Sequence, residues 1–426
     1  MPHVDLILVS LICNDVSSLM DLSKKILSDP VNRWVFSGPE AGAFLVGGYV
    51  RDMLLNTISK DKDFALTGRT RETALGCSKK FKGTFIELKK DRTYRVVINK
   101  KQFIDFSCID KTILDDLGHR DFTINAMAWS PRTGIIDPFE GRKDLQNMKL
   151  RVVDSVNLLE DPLRIIRAYR IAAQLGFELD KNTRKYLKKY AKEIRKPSPE
   201  RTTEEIFKLL NNDKAVNYLE LCNEDRVLGN IFGPTPSKLK EALGLIKDFD
   251  RIMINLAADP DHNKIIVYLR TEVGQGLKTA GFIRLALLLL NSSRNKLDDG
   301  LKFLRISRLT RKKITHIMNG DKLSEKRITE RKLFEIFSES SECALEMALI
   351  MSLKRKRFMS RYINRADEYN KIKEKHLLTG DEIQQIINSG PGRIIGDIQG
   401  MIKEREFLGS IKNRRQAMNW IISNLT

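Results

Sequence analysis

The chain has 426 residues, enough for two to four domains of about 100–200 residues each. It carries 75 Lys and Arg against 55 Asp and Glu, a net charge of +20, and 42% of it is hydrophobic, which suits a soluble globular protein with a polyanionic partner. No apolar run approaches the roughly 20 residues that cross a bilayer, the apolar stretch Leu6–Cys13 lacks the basic flank of a signal peptide, and Cys13, Cys77, Cys108, Cys222 and Cys343 are too scattered for a disulfide framework or a metal knuckle, which predicts a cytoplasmic protein.

Residues 1–30 read as a polar-faced helix ahead of the first domain. Ala43 to Val46 is a short apolar strand, and Gly47-Gly48 after it lets backbone N–H groups approach a phosphate closely. Tyr49 to Asn56 has the spacing of a short helix whose N-terminus favours the same anion. Arg51, in its first turn, either reaches that phosphate or forms an ion pair near Asp52. Asp61 and Asp63 then lead into Phe64-Ala65-Leu66. Alternate residues of a strand face one side, so two carboxylates there can hold a divalent metal together. Further strands are expected at Thr84–Leu88 and Tyr94–Ile98, as a hairpin through Lys89-Lys90-Asp91-Arg92, and at Phe103–Ser107. Asp105 is the acid within that last apolar strand. Burying an unpaired carboxylate is expensive, so Asp105 calls for a metal, a cation or water.

Beyond Leu158 the pattern is helical to the end. Leu159 to Leu175 has helical apolar spacing, and within it Asp161 and Arg164 are three apart and share a face. Taken alone the two read as an intrahelical ion pair. Their spacing can also present an acceptor and a forked donor to one base edge. Lys185, Lys188, Lys189, Lys192, Arg195 and Lys196 recur at three- and four-residue spacing, either as a solvated face or as a stripe that follows an RNA backbone. Lys354-Arg355-Lys356-Arg357 and Arg414-Arg415 are weaker basic candidates. Breaks are expected at Lys196-Pro197-Ser198-Pro199, Gly233-Pro234-Thr235-Pro236-Ser237, Asn319-Gly320-Asp321 and Gly390-Pro391-Gly392.

Four runs in order carry a resemblance: Gly47-Gly48 with Asp61 and Asp63; His119-Arg120-Asp121-Phe122-Thr123-Ile124-Asn125-Ala126; Asp137-Pro138-Phe139-Glu140-Gly141 with Asp144-Leu145; and Glu160-Asp161-Pro162-Leu163-Arg164, continuing to Arg167 and Arg170. The chain resembles the class II tRNA nucleotidyltransferase/poly(A) polymerase family, within the DNA polymerase β-like superfamily. The resemblance is close over roughly residues 43–210 and faint beyond. It implies a mixed α/β head at 31–153 behind an N-terminal extension at 1–30, then an all-α neck (154–212), body (213–320) and tail (321–426). It implies transfer of nucleotides to a tRNA 3′ end without a nucleic-acid template. Asp61, Asp63 and a third carboxylate, for which Asp105 is the candidate, would hold two Mg²⁺ ions. Arg120, Asp121 and Asn125 would meet the incoming nucleotide, with His119 departing from the family's usual Arg. Asp161 and Arg164 would read the base, Arg167 or Arg170 would touch triphosphate, and 137–145 would be the hairpin leading out of the head.

One absence bears on the product. Family members that build the complete CCA end carry a long flexible loop between the third-carboxylate strand and the Arg-Asp motif, which helps the base-reading pair turn from CTP to ATP. Here only fourteen residues, Phe106 to His119, lie between Asp105 and Arg120, and Ile113, Leu114 and Leu117 look packed. This resembles the CC-adding members, which leave the terminal A to a separate enzyme. A complete CCA-adding enzyme, an A-adding enzyme or poly(A) polymerase, and a non-catalytic RNA-binding relative stay open as alternatives.

Overall fold

The structure, a computed structural model, describes residues 16–38, 42–59, 61–99, 102–233, 236–258, 263–290, 294–322, 328–355 and 359–425. The stretch Leu6–Cys13, Pro234-Thr235 and Lys356-Arg357 lie outside the described residues. Two compact units form. The first runs to Glu205 and takes in Glu224–Asn230; the second comprises Ile206–Asn223 and the chain from Ile231 onward.

In the first unit, α1 (Val16–Ser28) and α2 (Pro30–Ser37) precede the sheet. Asp29 separates them because its carboxylate accepts from the Val31 and Asn32 amides, with Pro30 in the first turn where its missing N–H costs nothing. The sheet strands are β1 (Ala43–Val46), β2 (Lys62–Leu66), β3 (Thr84–Lys89), β4 (Thr93–Ile98), β5 (Gln102–Cys108), β6 (Ala128–Ser130) and β7 (Gly134–Ile136), in the spatial order β3-β4-β5-β2-β1-β6-β7. Only β2 and β5 pair in parallel; every other neighbour is antiparallel. Helix α3 (Gly48–Leu54) follows β1, and α4 (Thr70–Lys80) follows β2. Helix α5 (Ile113–Gly118) packs Leu117 into a core of Val46, Ala65, Ala126 and Ala128.

The run 137–145 is a turn and helix rather than a hairpin. Asp137 accepts from the amides of Gly141 and Arg142 at 2.6 and 2.9 Å and so starts α6 (Gly141–Gln146). The hairpin lies just before it, in β6 and β7. The expected helix Leu159–Leu175 is also interrupted. Pro162 has no N–H to donate, and the chain forms α7 (Asn157–Glu160), a break at Asp161-Pro162, and α8 (Leu163–Leu175), closed by Gly176 at φ 73°. Short strands β8 (Lys149–Leu150) and β9 (Glu178–Leu179) form a separate parallel pair. Helix α9 (Lys181–Lys189) gives way to a 3₁₀ turn over Ala191–Arg195, and α10 starts at Pro199, at the expected break, and runs to Leu210.

Among its described residues the second unit is helical apart from one ribbon, Glu272–Gly274 with Leu277–Lys278. Its helix Thr279–Leu289 is buried along its whole length. Arg284 survives there, 1% exposed, because Nε donates to Asp250 Oδ1 at 2.9 Å and Nη1 to the Leu210 carbonyl at 2.6 Å. The expected break at 319–321 does not occur, for the helix Arg308–Lys322 passes through it. A Cβ on Gly320 would meet Ser340 Oγ at 2.2 Å, so this glycine serves close helix packing and not a turn. A separate core of Leu378, Ile383, Ile395, Ile398, Ile402, Ile411, Ala417 and Ile421 closes the chain, with the expected turn at 390–392 between two of its helices. Among the described residues no helix is long and apolar enough to cross a membrane.

Candidate active site

Strand register builds the acidic row. Asp63 on β2 lies opposite Asp105 on β5, and Asp105 lies opposite Arg95 on β4, so three neighbouring strands present Asp63, Asp105 and Arg95 side by side. Asp61 stands two residues ahead of Asp63 and is exposed, its Oδ1 accepting from the Phe103 amide at 3.2 Å. Arg95 grips Asp105 with both arms, Nε to Oδ1 and Nη2 to Oδ2, each at 2.7 Å. That grip, opposed by partial burial and reinforced by the nearby acids, raises the guanidinium pKa. The Asp63 carboxyl is pushed up to about 6, first by burial, against the pull of Arg120, and then by the like charges of Asp105 and Asp61.

Gly47 brings the next cation to this row. It adopts φ +74°, and a Cβ there would stand 2.9 Å from Arg120 Nη1 and 3.4 Å from Asp63 Oδ2. The positive φ favours glycine, and a side chain there would crowd both Arg120 and Asp63. The Gly47 N–H is already donated to the Met127 carbonyl at 3.2 Å, so it is not free for a phosphate as expected; Gly48 opens α3 beside it. Arg120 itself is steadied by Asp116, with Nε and Nη2 donating to Oδ2 at 3.0 and 2.9 Å.

A chain of hydrogen bonds leads from α3 to α8. Arg51 donates Nε and Nη2 to Asp52 Oδ1 and Nη1 to Asn125 Oδ1 at 2.7 Å, which ties it into the scaffold. Asn125 Nδ2 donates to Asp121 Oδ1 at 3.0 Å, and Arg167 Nε and Nη2 donate to Asp121 Oδ2 at 3.0 and 2.7 Å. Asp121, 7% exposed, also accepts from the Phe122 amide, so both its oxygens are occupied. Burial alone would raise its carboxyl pKa; Arg167 and these hydrogen bonds bring the net shift below the ordinary value. Beyond Arg167, Glu205 pairs with Arg167 at 3.5 Å and with Arg170 at 2.9 Å, and burial lowers the pKa of Arg170.

Asp161 and Arg164 flank the start of α8 but do not share a helical face, since Asp161 precedes the helix. Nor do they pair. Arg201 Nη2 donates to Asp161 Oδ2 at 2.8 Å, while Arg164 gives Nη1 to the Asn157 carbonyl at 3.0 Å and Nη2 to the His119 carbonyl at 2.7 Å. Asn157 completes the corner, its Nδ2 donating to the carbonyls of Gly118 and Arg120, each at 2.8 Å. Burial lowers the pKa of Arg164. The basic run is not one helical stripe, because α9 ends at Lys189. Lys185, Lys188 and Lys192 are exposed, Lys189 lies 5.1 Å from the Tyr190 ring centre, Arg195 Nε donates to the Asn230 carbonyl at 2.7 Å, and Lys196 pairs with Glu193.

Arg95, Asp116, Asn157 and Arg201 join the site without having been singled out. Arg95 had a sequence signal, being the one charge inside the expected strand Tyr94–Ile98; the others had none. As the side chains stand, no three His, Cys, Asp or Glu among the described residues are gathered to hold a metal ion, because Asp61 faces the Phe103 amide and Asp105 faces Arg95. The donor set nonetheless suits a hard divalent cation. It is all carboxylate oxygen, and Asp63 and Asp105 lie side by side on neighbouring strands.

Residues 43–110 and 93–151 match the poly A polymerase head domain, 176–238 match "Probable RNA and SrmB-binding site of polymerase A", and 279–421 match tRNA nucleotidyltransferase domain 2. A CC-adding tRNA nucleotidyltransferase of Synechocystis sp. is 30% identical over 424 residues, covering 95% of this chain and 97% of the relative. Another of that name, from Geobacter sulfurreducens, is 27% identical over 395 residues, covering 89% and 91%. The fold is shared with the Thermotoga maritima CCA-adding enzyme complexed with tRNA, at a TM-score of 0.70 and 22% identity over 97% of this chain and 99% of that one. With matches to family models in the head and beyond it, and a 30% identical relative aligned along almost its whole length, the chain belongs to the class II tRNA nucleotidyltransferase/poly(A) polymerase family and is a nucleotidyltransferase of the CC- or CCA-adding kind.

Proposed function

We propose that this enzyme adds two cytidines, taken from CTP, to the 3′ end of tRNA and stops there. The compact connection from Asp105 to Arg120 carries the restriction to CC. Thr112 and Asp115 form a capping box at the start of α5, and Leu117 is fully buried in the head core. Leu114, expected to pack, is 53% exposed, but Ile109 and Ile113 take its place against that core. A connection so short and so tied down has no mobile lever for turning the base-reading pair from CTP to ATP. The end-to-end likeness to two CC-adding enzymes supports the same reading.

In this reading Asp61, Asp63 and Asp105 hold two Mg²⁺ ions, once Asp61 and Asp105 turn from their present partners. Bound there, the ions would neutralise triphosphate charge and lower the pKa of the attacking 3′-hydroxyl. Arg120, held by Asp116 beside Asp63, meets the triphosphate. Asp121 acts through others, fixing Arg167 toward the nucleotide and Asn125 against Arg51. Once Arg164 leaves the carbonyls of Asn157 and His119 and Asp161 leaves Arg201, the two offer a forked donor and an acceptor to cytosine: the acceptor takes the N4 amino group, and the donor faces O2 and N3. Arg164→Ala is expected to cost about 1–3 kcal/mol of CTP preference over other nucleotides; unaltered selectivity in competition assays would make the pair structural. The extension at 1–30 and the division into head, neck, body and tail at 153, 212 and 320 follow the family resemblance and belong to this proposal, as do tRNA as substrate and a cytoplasmic location for the enzyme.

The test uses the protein with Mg²⁺ and three tRNA transcripts, ending at the discriminator, after one C and after CC. Each receives CTP, ATP or both. The expected result is addition up to CC and none beyond, even with ATP present. Addition of A to the CC transcript overturns the restriction: it makes this a complete CCA-adding enzyme if CTP is also used, and an A-adding or poly(A) enzyme if it is not.

A further inference from the structure

We propose that Arg95 is the resident counter-ion of the metal site: it occupies the third carboxylate in the nucleotide-free enzyme and makes metal loading depend on the nucleotide. This rests on the reading of Asp61, Asp63 and Asp105 as metal ligands. Register places Arg95 directly opposite Asp105, and Asp105 directly opposite Asp63, so the guanidinium ends the acidic row rather than approaching it from a distant loop. Its two bonds to Asp105, both at 2.7 Å, take one lone pair on each oxygen. The side chain is only 35% exposed, and its guanidinium carbon lies 5.1 Å from the centre of the Phe103 ring, so packing as well as charge fixes its direction.

A divalent cation at Asp63 and Asp105 would stand beside this fixed positive charge. It must share Asp105 with the guanidinium or displace it. Either way Arg95 weakens metal binding to the empty enzyme. A triphosphate adds negative charge to the same position and offsets the penalty, so metal and nucleotide enter together. Because coupling between two ligands is reciprocal, Arg95 should also strengthen the dependence of CTP binding on metal. Arg95 is a positioning residue here, acting on metal and nucleotide through Asp105.

Mn²⁺ binding to the full-length protein, followed by the loss of its free EPR signal, tests this without turnover. Arg95→Met keeps the stem over Phe103 and removes the charge. It is expected to bind Mn²⁺ more tightly without nucleotide, on the order of tenfold for one nearby charge at a partly exposed site, and to gain less from added CTP than the wild type gains. Arg95→Lys restores charge without the fork and should fall between the two. Asp63→Asn is measured in parallel and should lose the site. If Asp63→Asn binds Mn²⁺ as the wild type does, the carboxylate reading fails and the Arg95 proposal with it. If Asp63→Asn loses binding while Arg95→Met and Arg95→Lys match the wild type or bind more weakly, only the Arg95 proposal is overturned. Should Arg95→Met fail to fold, by its circular dichroism and melting curve, Arg95→Lys decides alone: tighter binding than wild type supports the counter-ion role, and equal or weaker binding refutes it.

Discussion

Asp63 pays for the chemistry of its neighbours. Its carboxyl is removed from water and, against the pull of Arg120, crowded by Asp105 and Asp61, so the folded protein holds a proton there more tightly than the unfolded chain does. A carboxyl whose folded pKa is raised, here to about 6 from 3.8, destabilises the fold fully above pH 6 and not at all below about pH 4. Asp63→Asn should therefore raise the melting temperature of the metal-free protein at pH 7.5, lose that advantage as the pH falls through 6 toward 4, and reduce nucleotide incorporation to background. A lower melting temperature at pH 7.5 would show that Asp63 stabilises the metal-free fold rather than straining it. The acids of this site were legible in the sequence because a carboxylate in an apolar strand has few uses. Their cation partners were mostly not. That Arg201 would hold Asp161, or Asn157 close the corner under Arg120, depends on how distant elements dock, and no local spacing encodes it.

Between elements, β2 is held from behind as well as in front. Lys62 sits between Asp61 and Asp63 and so points to the opposite face, where it is 2% exposed. Its ammonium meets Asp29 Oδ2 at 3.1 Å and lies 5.4 Å from the centre of the Tyr49 ring, whose hydroxyl accepts from Asn32 Nδ2 at 2.8 Å. One carboxylate thus caps α2 and neutralises a buried lysine on the far face of β2. Asp29→Ala removes both functions and should destabilise the head by about 3 kcal/mol. Lys62→Met placed in that background should recover much of the loss, because an apolar side chain of similar length needs no partner there. Denaturant melts of the four proteins in this cycle check it, and additive effects would mean that the two residues do not interact. At this scale the longer strands were legible as β-rich runs, whereas β6 and β7, three residues each, are too short to show a period. Glycine and proline misled in opposite directions. Gly320 marks close packing inside a helix rather than a turn, while Pro162 breaks a pattern whose apolar spacing continues on both sides of it.

Across the whole molecule the excess of positive charge has to be divided between ion pairs and free surface before it says anything about RNA. Within the basic run, Arg195 and Lys196 are already engaged, by the Asn230 carbonyl and Glu193, and Lys189 lies against Tyr190. All six residues are exposed, Lys185, Lys188 and Lys192 among them on α9 and the turn after it. Three exposed ammonium groups that each neutralise one phosphate would contribute about 0.7–0.9 apiece to the slope of log K against log salt, through counterion release. Replacing all three by Gln should then flatten that slope for tRNA binding by roughly 2. CTP preference should not change, because phosphate contacts position an RNA without reading it. The same replacements at Lys189, Arg195 and Lys196 should flatten it less, since those side chains already have partners within the protein. Equal slopes for the wild type and the Lys185, Lys188 and Lys192 variant would assign the run to a solvated face. The tRNA contacts would then have to come from the other basic surfaces of the chain, with exposed Arg415 the next to replace, ahead of Arg414, which pairs with Glu382.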